Sequence, residues 1–108
     1  MPEESTHDGF TNYETSTTHL WLNNTEETYR WCRLSASSCR EQAPVCAQVR
    51  EEIWTVGQAT RYLLAERIQK YVEAAMPSIE TGTLYSDLLD SAISRVNWHE
   101  IADEFLGE

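Results

Sequence analysis

The longest helical signal in the chain lies in residues 45–76, which read VCAQVREEIWTVGQATRYLLAERIQKYVEAAM. This stretch has no proline and one glycine, Gly57. Its apolar side chains recur mostly three and four positions apart, as on one face of an α-helix. They are Val49, Ile53, Val56, Leu63, Leu64, Ile68, Tyr71, Val72 and Ala75. Because glycine lowers helix stability by about 1 kcal/mol relative to alanine, the pattern predicts a long helix that kinks or breaks near residue 57 and ends at Met76-Pro77.

A first helix is predicted upstream, beginning at Thr11. Thr11 and Glu14 have the T-x-x-E spacing of a capping box, in which both side chains bind unpaired amides at a helix start. The helix is expected to run to about Leu22 and to direct one apolar face inward. That face consists of Tyr13, Leu20 and Trp21.

A second helix is predicted over about residues 25–39. Asn24 with Glu27 repeats the cap spacing, and acidic residues suit the positive end of a helix dipole. Pro44 either stops this helix or begins the next segment at a first-turn position. The expected inward stripe is Tyr29, Cys32 and Ala36.

Two shorter helices are predicted downstream of a turn, PSIETGT, at residues 77–83. Asn97 followed by Glu100 has the cap spacing again and begins the last helix. The expected inward side chains are Leu84, Leu88, Leu89, Ala92, Ile93 and Val96, then Trp98, Ile101, Ala102, Phe105 and Leu106. Since no strand signal is present, we predict an all-α, compact single-domain bundle of five to six helices over residues 11–108. A flexible acidic tail over residues 1–10 is expected to precede it.

The charge of the chain argues against some classes of function. Of 108 residues, 18 are Asp or Glu and 8 are Lys or Arg, so the net charge is -10. This charge opposes direct binding to nucleic acid or to an anionic membrane. The N-terminal MPEESTHDGF lacks the basic and apolar regions of a signal peptide, and no apolar run approaches the ~20 residues of a membrane span. A location in the cytoplasm is expected.

The cysteines are predicted to be reduced thiols. Cys32, Cys39 and Cys46 are spaced seven apart, which on a continuous helix separates neighbours by about 10 Å. A disulfide requires Cα atoms within roughly 7 Å, and a zinc site usually requires cysteines two to four residues apart. The alternative is a redox or intermolecular disulfide, since an odd number leaves one thiol over.

One segment resembles a metal-binding motif. Residues 99–103, HEIAD, have the form H-E-x-x-D, whereas zinc proteases use H-E-x-x-H with two histidines on the metal. No obvious third ligand follows, and no nucleophile motif or glycine-rich phosphate loop occurs elsewhere. The sequence therefore predicts that the protein is not an enzyme and uses no metal and no cofactor.

Four tryptophans are many for a chain of this length. Trp21 and Trp98 fall on predicted inward faces. Trp31 lies ~100° or more from much of the apolar stripe of its own helix. It is therefore predicted either to be an exposed aromatic that contacts a partner or to pack under a neighbouring helix.

Charge is segregated along the chain. Residues 1–29 carry six acids and no Lys or Arg, residues 30–70 carry seven basic and four acidic residues, and residues 71–108 carry eight acids and one arginine. Helical spacing places many C-terminal acids on outward faces. Such a row can imitate the phosphates of nucleic acid, which repeat every ~3.4 Å along a strand, or it can serve solubility alone. The candidate partner-binding residues are Asp87, Asp90, Glu100, Asp103, Glu104 and Trp31.

Both ends of the chain resemble a family of small proteins carried by bacteriophages, archaeal viruses and plasmids. The segments are residues 11–15, TNYET, residues 20–24, LWLNN, and residues 96–102, VNWHEIA. The family begins T-N-Y-E-T-W and closes with D/N-W-x-E-I-A, and this chain departs from it at Ser16, where the family usually has tryptophan. The resemblance implies a mobile-element origin and an accessory role, and it assigns no catalytic residues.

We therefore expect a non-enzymatic accessory protein that inhibits a host defence complex, of anti-CRISPR or anti-restriction type. Its partner is expected to be a host nucleic-acid-binding effector, contacted through acidic faces. One alternative is a nucleic-acid-binding or regulatory protein that uses the basic middle segment. Another is a small virion-associated oligomer held by the tryptophans, and the oligomeric state stays open.

Overall fold

The computed structural model describes residues 9–107. The predicted tail therefore lies outside the described residues, except for Gly9 and Phe10. The helices are α1 (Tyr13–Asn24), α2 (Glu26–Gln42), α3 (Ala47–Arg50), α4 (Val56–Ala74), α5 (Leu84–Ser94) and α6 (Trp98–Leu106), and a 3-10 turn (Ala43–Val45) joins α2 to α3. No strand occurs in residues 9–107. The chain is an all-α bundle, as predicted.

The core forms around α6, which packs against α4, α2 and α1. The larger apolar side chains that are fully buried there come from three helices: Cys32 and Cys39 of α2, Leu64 and Ile68 of α4, and Ile101 and Phe105 of α6. Burying one large apolar side chain stabilises the fold by about 1.5–3 kcal/mol relative to leaving it exposed. The last helix in chain order is therefore the centre of the molecule.

The predicted break near residue 57 is confirmed, and the structure gives its cause. Thr55 caps α4 through a capping box, in which its hydroxyl accepts from the Gln58 amide (3.1 Å) and the Gln58 side chain accepts from the Thr55 amide (2.9 Å). Gly57 lies in the first turn of α4, so the break precedes it. The turn before the cap includes Glu52 at a φ of 63°.

The predicted starts of α1 and α2 are wrong by one residue. Asn12, not Thr11, caps α1, because its Oδ1 accepts from the Thr15 amide at 2.9 Å. Thr25, not Asn24, is the cap residue of α2, and its side chain makes no capping hydrogen bond. The local sequence pattern does not determine which of two adjacent polar residues takes the extended conformation of a cap.

The predicted inward face of α1 is also wrong. Tyr13, Leu20 and Trp21 are exposed, whereas Thr15 and Leu22 are buried. Burial of Thr15 is stabilised because its hydroxyl donates to Asn12 Oδ1 (2.7 Å) and accepts from the Asn97 amide (2.8 Å). Hydrogen bonding of this kind offsets the cost of removing a polar group from water.

One residue that was assigned from sequence to the tail belongs to the core. Phe10, assigned from sequence to the tail, is buried, and its ring centroid lies 5.0 Å from that of His19. His19 in turn lies 5.5 Å from Phe105 of α6. Phe10 therefore extends the core across the start of α1.

The predicted inward face is confirmed for α6 and is partly wrong for α5. In α6, capped by Asn97 as predicted, Trp98, Ile101, Ala102 and Phe105 are buried. In α5, Leu84 and Leu88 were expected inward but are exposed. Ser86 is buried and Leu89 and Ile93 are half-buried, so they form the inward side instead.

None of the helices in residues 9–107 has the length and apolar character needed to cross a membrane.

Candidate partner-binding surface

Two of the predicted acids lie on α5. Asp87 and Asp90 are exposed. Within residues 9–107, no hydrogen bond or ion pair engages either carboxylate. They are therefore available to a partner.

The other three predicted acids lie on the outer side of α6 and have different surroundings. The carboxylate of Glu100 accepts from the backbone amide of Thr11 (3.0 Å) and from the Thr11 hydroxyl. Asp103 forms an ion pair with Arg61 of α4 at 3.0 Å. Glu104 is exposed and lines a depression of about 220 Å³ with Phe10 and His19. Glu100 and Asp103 therefore serve the fold, and Glu104 remains exposed to a partner.

Trp31 is the predicted site residue that the structure corrects. Its indole is half-buried and stacks on Tyr71 of α4, with ring centroids 4.1 Å apart and planes inclined by 15°. The expectation of an exposed aromatic is wrong, and the packed alternative is observed. The exposed tryptophan is Trp21, at 69%.

Most basic side chains of the middle segment make contacts within the chain, whereas exposed Arg50 makes none within residues 9–107. Arg30 pairs with Glu26 at 2.6 Å and Lys70 with Glu66 at 3.2 Å. Arg61 pairs with Asp103, Arg67 donates to Ser38 and Gln42, and Arg40 donates to the Leu106 carbonyl. These pairs intersperse acids among the basic side chains of α2 and α4.

An apolar groove between α1 and α5 was not predicted from sequence. Its larger part, of about 780 Å³, includes Trp21, Tyr71, Val72, Met76 and Leu89. Its smaller part, of about 300 Å³, includes Tyr13, Ala92, Ile93 and Val96. Thr17 and Thr18 line both parts, so the depressions form one continuous feature, which we name the α1–α5 groove.

Exposed apolar side chains of α5 flank this groove. Tyr85 lies one turn before Leu89, and Leu88 lies one turn before Ala92, so each shares a helix side with a groove residue. Tyr85 is 71% exposed and Leu88 is 58% exposed. The sequence carried a signal for this surface, because the apolar residues of α5 cover more of its circumference than one buried stripe requires.

A second depression, of about 530 Å³, lies between α4 and α5. Glu73 of α4 and Asp90 of α5 both line it, and buried Trp98 also contributes to its wall. Thus α5 has an apolar groove on one side and a cleft with two carboxylates on the other.

The surroundings of Cys39 and His99 shift the pKa values of both side chains. Burial raises the pKa of the Cys39 thiol, with Arg67 opposing the shift, so its reactive thiolate form is disfavoured. His99 packs edge-on against Tyr62, with ring centroids 4.9 Å apart. Its pKa is lowered by burial first and by Arg61 second, while Asp103 raises it. In residues 9–107, no group of three or more His, Cys, Asp or Glu side chains could hold a metal ion.

Comparison of the chain with protein-family models, curated proteins and solved structures finds no match. Function is therefore inferred from the surface around α5.

Proposed function

We propose that this protein is a non-enzymatic inhibitor that binds a nucleic-acid-binding effector of a host defence system, of CRISPR or restriction type. The observation that carries the proposal is the state of its exposed acids. Asp87 and Asp90 on α5, and Glu104 on α6, are exposed on helices and engaged by no partner within residues 9–107. Carboxylates in this state have no competing contact within residues 9–107 and can pair with a cationic partner.

The spacing of the α5 acids suits a surface that normally receives nucleic acid. Asp90 lies three positions after Asp87 on α5, which is a rise of about 4.5 Å along the axis. Phosphates repeat every ~3.4 Å along a strand. Charge complementarity of this kind speeds encounter and selects the partner, more than it adds affinity. The net charge of -10 acts in the same direction.

The state of the basic residues disfavours the alternative of direct nucleic-acid binding. Arg30, Arg61 and Lys70 each pair with an acid of the same chain. Arg40 and Arg67 donate to neutral groups of the same chain. Phosphate binding would compete with these contacts and would meet the repulsion of the net negative charge.

The resemblance of the terminal segments indicates where the protein is expected to act. Residues 11–15 and 96–102 resemble those of small proteins of phages, archaeal viruses and plasmids. Proteins of such elements meet host defence complexes inside the host cell, so the proposed location is the host cytoplasm. An accessory role of this kind requires no catalytic residues.

The test is a phage-plating assay in strains that each carry one defined CRISPR or restriction system. Expression of the protein should restore plating of a targeted phage in at least one strain, and the tagged protein should retain that effector at moderate salt. The double variant Asp87→Lys/Asp90→Lys should lose both properties.

The matched control is Glu41→Lys/Glu51→Lys, because it makes the same change in net charge at exposed acids remote in sequence from α5. Equal loss in both double variants would overturn the acidic-surface proposal. Recovery of nucleic acid in place of an effector, with a gel shift that weakens steeply as salt rises, would support the regulatory alternative.

A further inference from the structure

The cleft between α4 and α5 contains two carboxylates that the fold leaves without a basic partner. Glu73 and Asp90 line this depression of about 530 Å³, and none of its described lining residues is Lys or Arg. The amide of Gln69 donates to Glu73 at 3.0 Å, which orients that carboxylate without cancelling its charge. Asp90 makes no hydrogen bond or ion pair within residues 9–107. Negative charge that is not compensated within the chain attracts a cationic group.

The cleft continues past Trp98 into a depression with aromatic walls. This second part, of about 310 Å³, includes Trp54 and Tyr62, whose rings stack with their centroids 4.6 Å apart. Gln69 and Trp98 line both parts. The two depressions therefore form one continuous site, which we name the Trp98 site.

The indole N–H of Trp98 is a second and independent indication of a ligand. The side chain is only 8% exposed, and its N–H makes no hydrogen bond within residues 9–107. Nε1 keeps access to solvent. Because Trp98 lines both parts of the site, this N–H opens into it. A donor that loses water when a ligand binds must find a new acceptor, so the ligand has to present an oxygen atom here.

These groups disfavour three classes of ligand. A metal ion is disfavoured because residues 9–107 contain no cluster of side chains fit to hold one. Phosphates, and with them nucleic acids, are repelled by Glu73 and Asp90. A polyamine carries hydrogen-bond donors only, so it would leave the N–H of Trp98 without an acceptor.

An arginine within a peptide chain has both the cation and the acceptor. Its planar guanidinium carries five donors and stacks on aromatic rings, whereas lysine presents a point charge. The main-chain carbonyls beside it accept from an N–H. Pockets that enclose a drug-sized ligand have volumes of about 300–1,000 Å³. The Trp98 site, with parts of about 530 and 310 Å³, therefore has room for the residues that flank the arginine.

We infer that the Trp98 site binds an arginine of the partner protein. Glu73 and Asp90 accept from its guanidinium, and the N–H of Trp98 donates to a main-chain carbonyl next to it. The inference rests on the proposed function, since the arginine belongs to the effector surface that normally receives nucleic acid. Arginine is one of the residues with which such surfaces contact phosphates.

The test is an NMR titration of the full chain with a capped pentapeptide, acetyl-Ala-Ala-Arg-Ala-Ala-amide. The assigned indole N–H signal of Trp98 should shift and reach saturation. The same peptide with citrulline, a neutral isostere of arginine, should not bind, and the peptide with lysine should bind more weakly. Glu73→Gln/Asp90→Asn should weaken binding of the arginine peptide at least tenfold.

The matched control is Glu41→Gln/Glu51→Gln, which removes the same charge at exposed acids that do not line the site. It should leave affinity within twofold. Equal weakening by both double variants, an unmoved Trp98 signal, or equal binding of the citrulline or lysine peptide would overturn the inference. So would tighter binding of spermidine than of the arginine peptide, because it would assign the site to a free polyamine.

The two proposals fail separately, because Glu73 belongs to the Trp98 site and is not one of the acids that carry the proposed function. If Asp87→Lys/Asp90→Lys abolishes phage protection and Glu73→Gln leaves it intact, the acidic surface stands and the inference is overturned. If the site binds the arginine peptide as specified but the protein protects against no defence system, the proposed function fails, and with it the assignment of the arginine to such an effector.

Discussion

Helices α5 and α6 follow one another and share the same local design, yet only one of them is enclosed. Each begins with a side-chain cap, Thr83 for α5 and Asn97 for α6. Each has apolar residues at helical spacing. In α6 that face is buried, whereas in α5 Leu84 and Leu88 remain exposed.

The difference shows that amphipathic spacing identifies an apolar side of a helix but not the surface that covers it. Helix α6 is surrounded by α1, α2 and α4. Helix α5 lies beside the groove and has inward contacts only through one side, around Leu89 and Ile93. A partner that covered this side of α5 would therefore bury apolar surface that the chain itself leaves exposed.

The largest expected difference is in the free energy of unfolding, between a variant of the core and a variant of the α5 surface. Phe105→Ala in α6 should lower the free energy of unfolding by about 3–5 kcal/mol, because it opens a cavity at a fully buried position. Leu88→Ala in α5 should change it by no more than about 0.5 kcal/mol, since the side chain is mostly in water. Urea unfolding measures both. A comparable loss for Leu88→Ala would show that the α5 face is covered.

The attachment of α1 to α6 gives the next largest effect. Thr15→Val keeps the shape of the side chain but leaves the Asn97 amide and Asn12 Oδ1 without the hydroxyl between them. We expect a loss of about 1–3 kcal/mol, the cost of unsatisfied buried polar groups. The control is Thr17→Val, the same change at a half-buried position of α1. An equal loss there would exclude this role for the Thr15 hydroxyl.

Variants of the two cap residues, Thr83 and Asn97, test whether α5 opens independently of the core. Asn97→Ala should lower global stability by about 0.5–2 kcal/mol, a typical effect of removing a cap. Thr83→Ala should instead speed hydrogen exchange of the α5 amides with little change in urea midpoint, because weakly packed segments open locally. If Thr83→Ala lowers global stability as much as Asn97→Ala, α5 unfolds together with the core.

The smallest effect concerns pH. Since the folded pKa of His99 lies below its ordinary value, the unfolded chain binds more protons as pH falls below the ordinary histidine pKa of about 6.5. The contribution of His99 to stability is therefore present above that pH and is lost as pH falls towards the folded pKa. His99→Gln should show a shallower loss of stability in this window, measured by urea unfolding at stepped pH. An unchanged slope would contradict the shift.

Local signals in the sequence predicted the helices well, because caps and apolar spacing act over a few residues. Asn97 and the break near residue 57 are examples. Inward and outward faces were harder to predict where burial depends on distant residues. Thr15 is buried because Asn97 donates to its hydroxyl across 82 positions, and no pattern within α1 encodes that bond.

The same limit applies to the site. Helical spacing predicted that the acids point outward, and Asp87 and Asp90 are exposed. It did not distinguish them from Glu100 and Asp103, whose partners Thr11 and Arg61 come from other elements. Trp31 packs against Tyr71 for a similar reason, because only the fold brings those rings together.

The central position of α6 also affects how the chain can fold. The bond between Glu100 and Thr11 joins residues 89 positions apart, so the start of α1 docks on α6 only after a loop of that length has closed. Closing long loops costs entropy and slows folding. During synthesis, α1, α2 and α4 emerge from the ribosome before the helix that fills the space between them. Their core side chains stay uncovered until α6 arrives, so we expect the native core to form only after α6 has been synthesised.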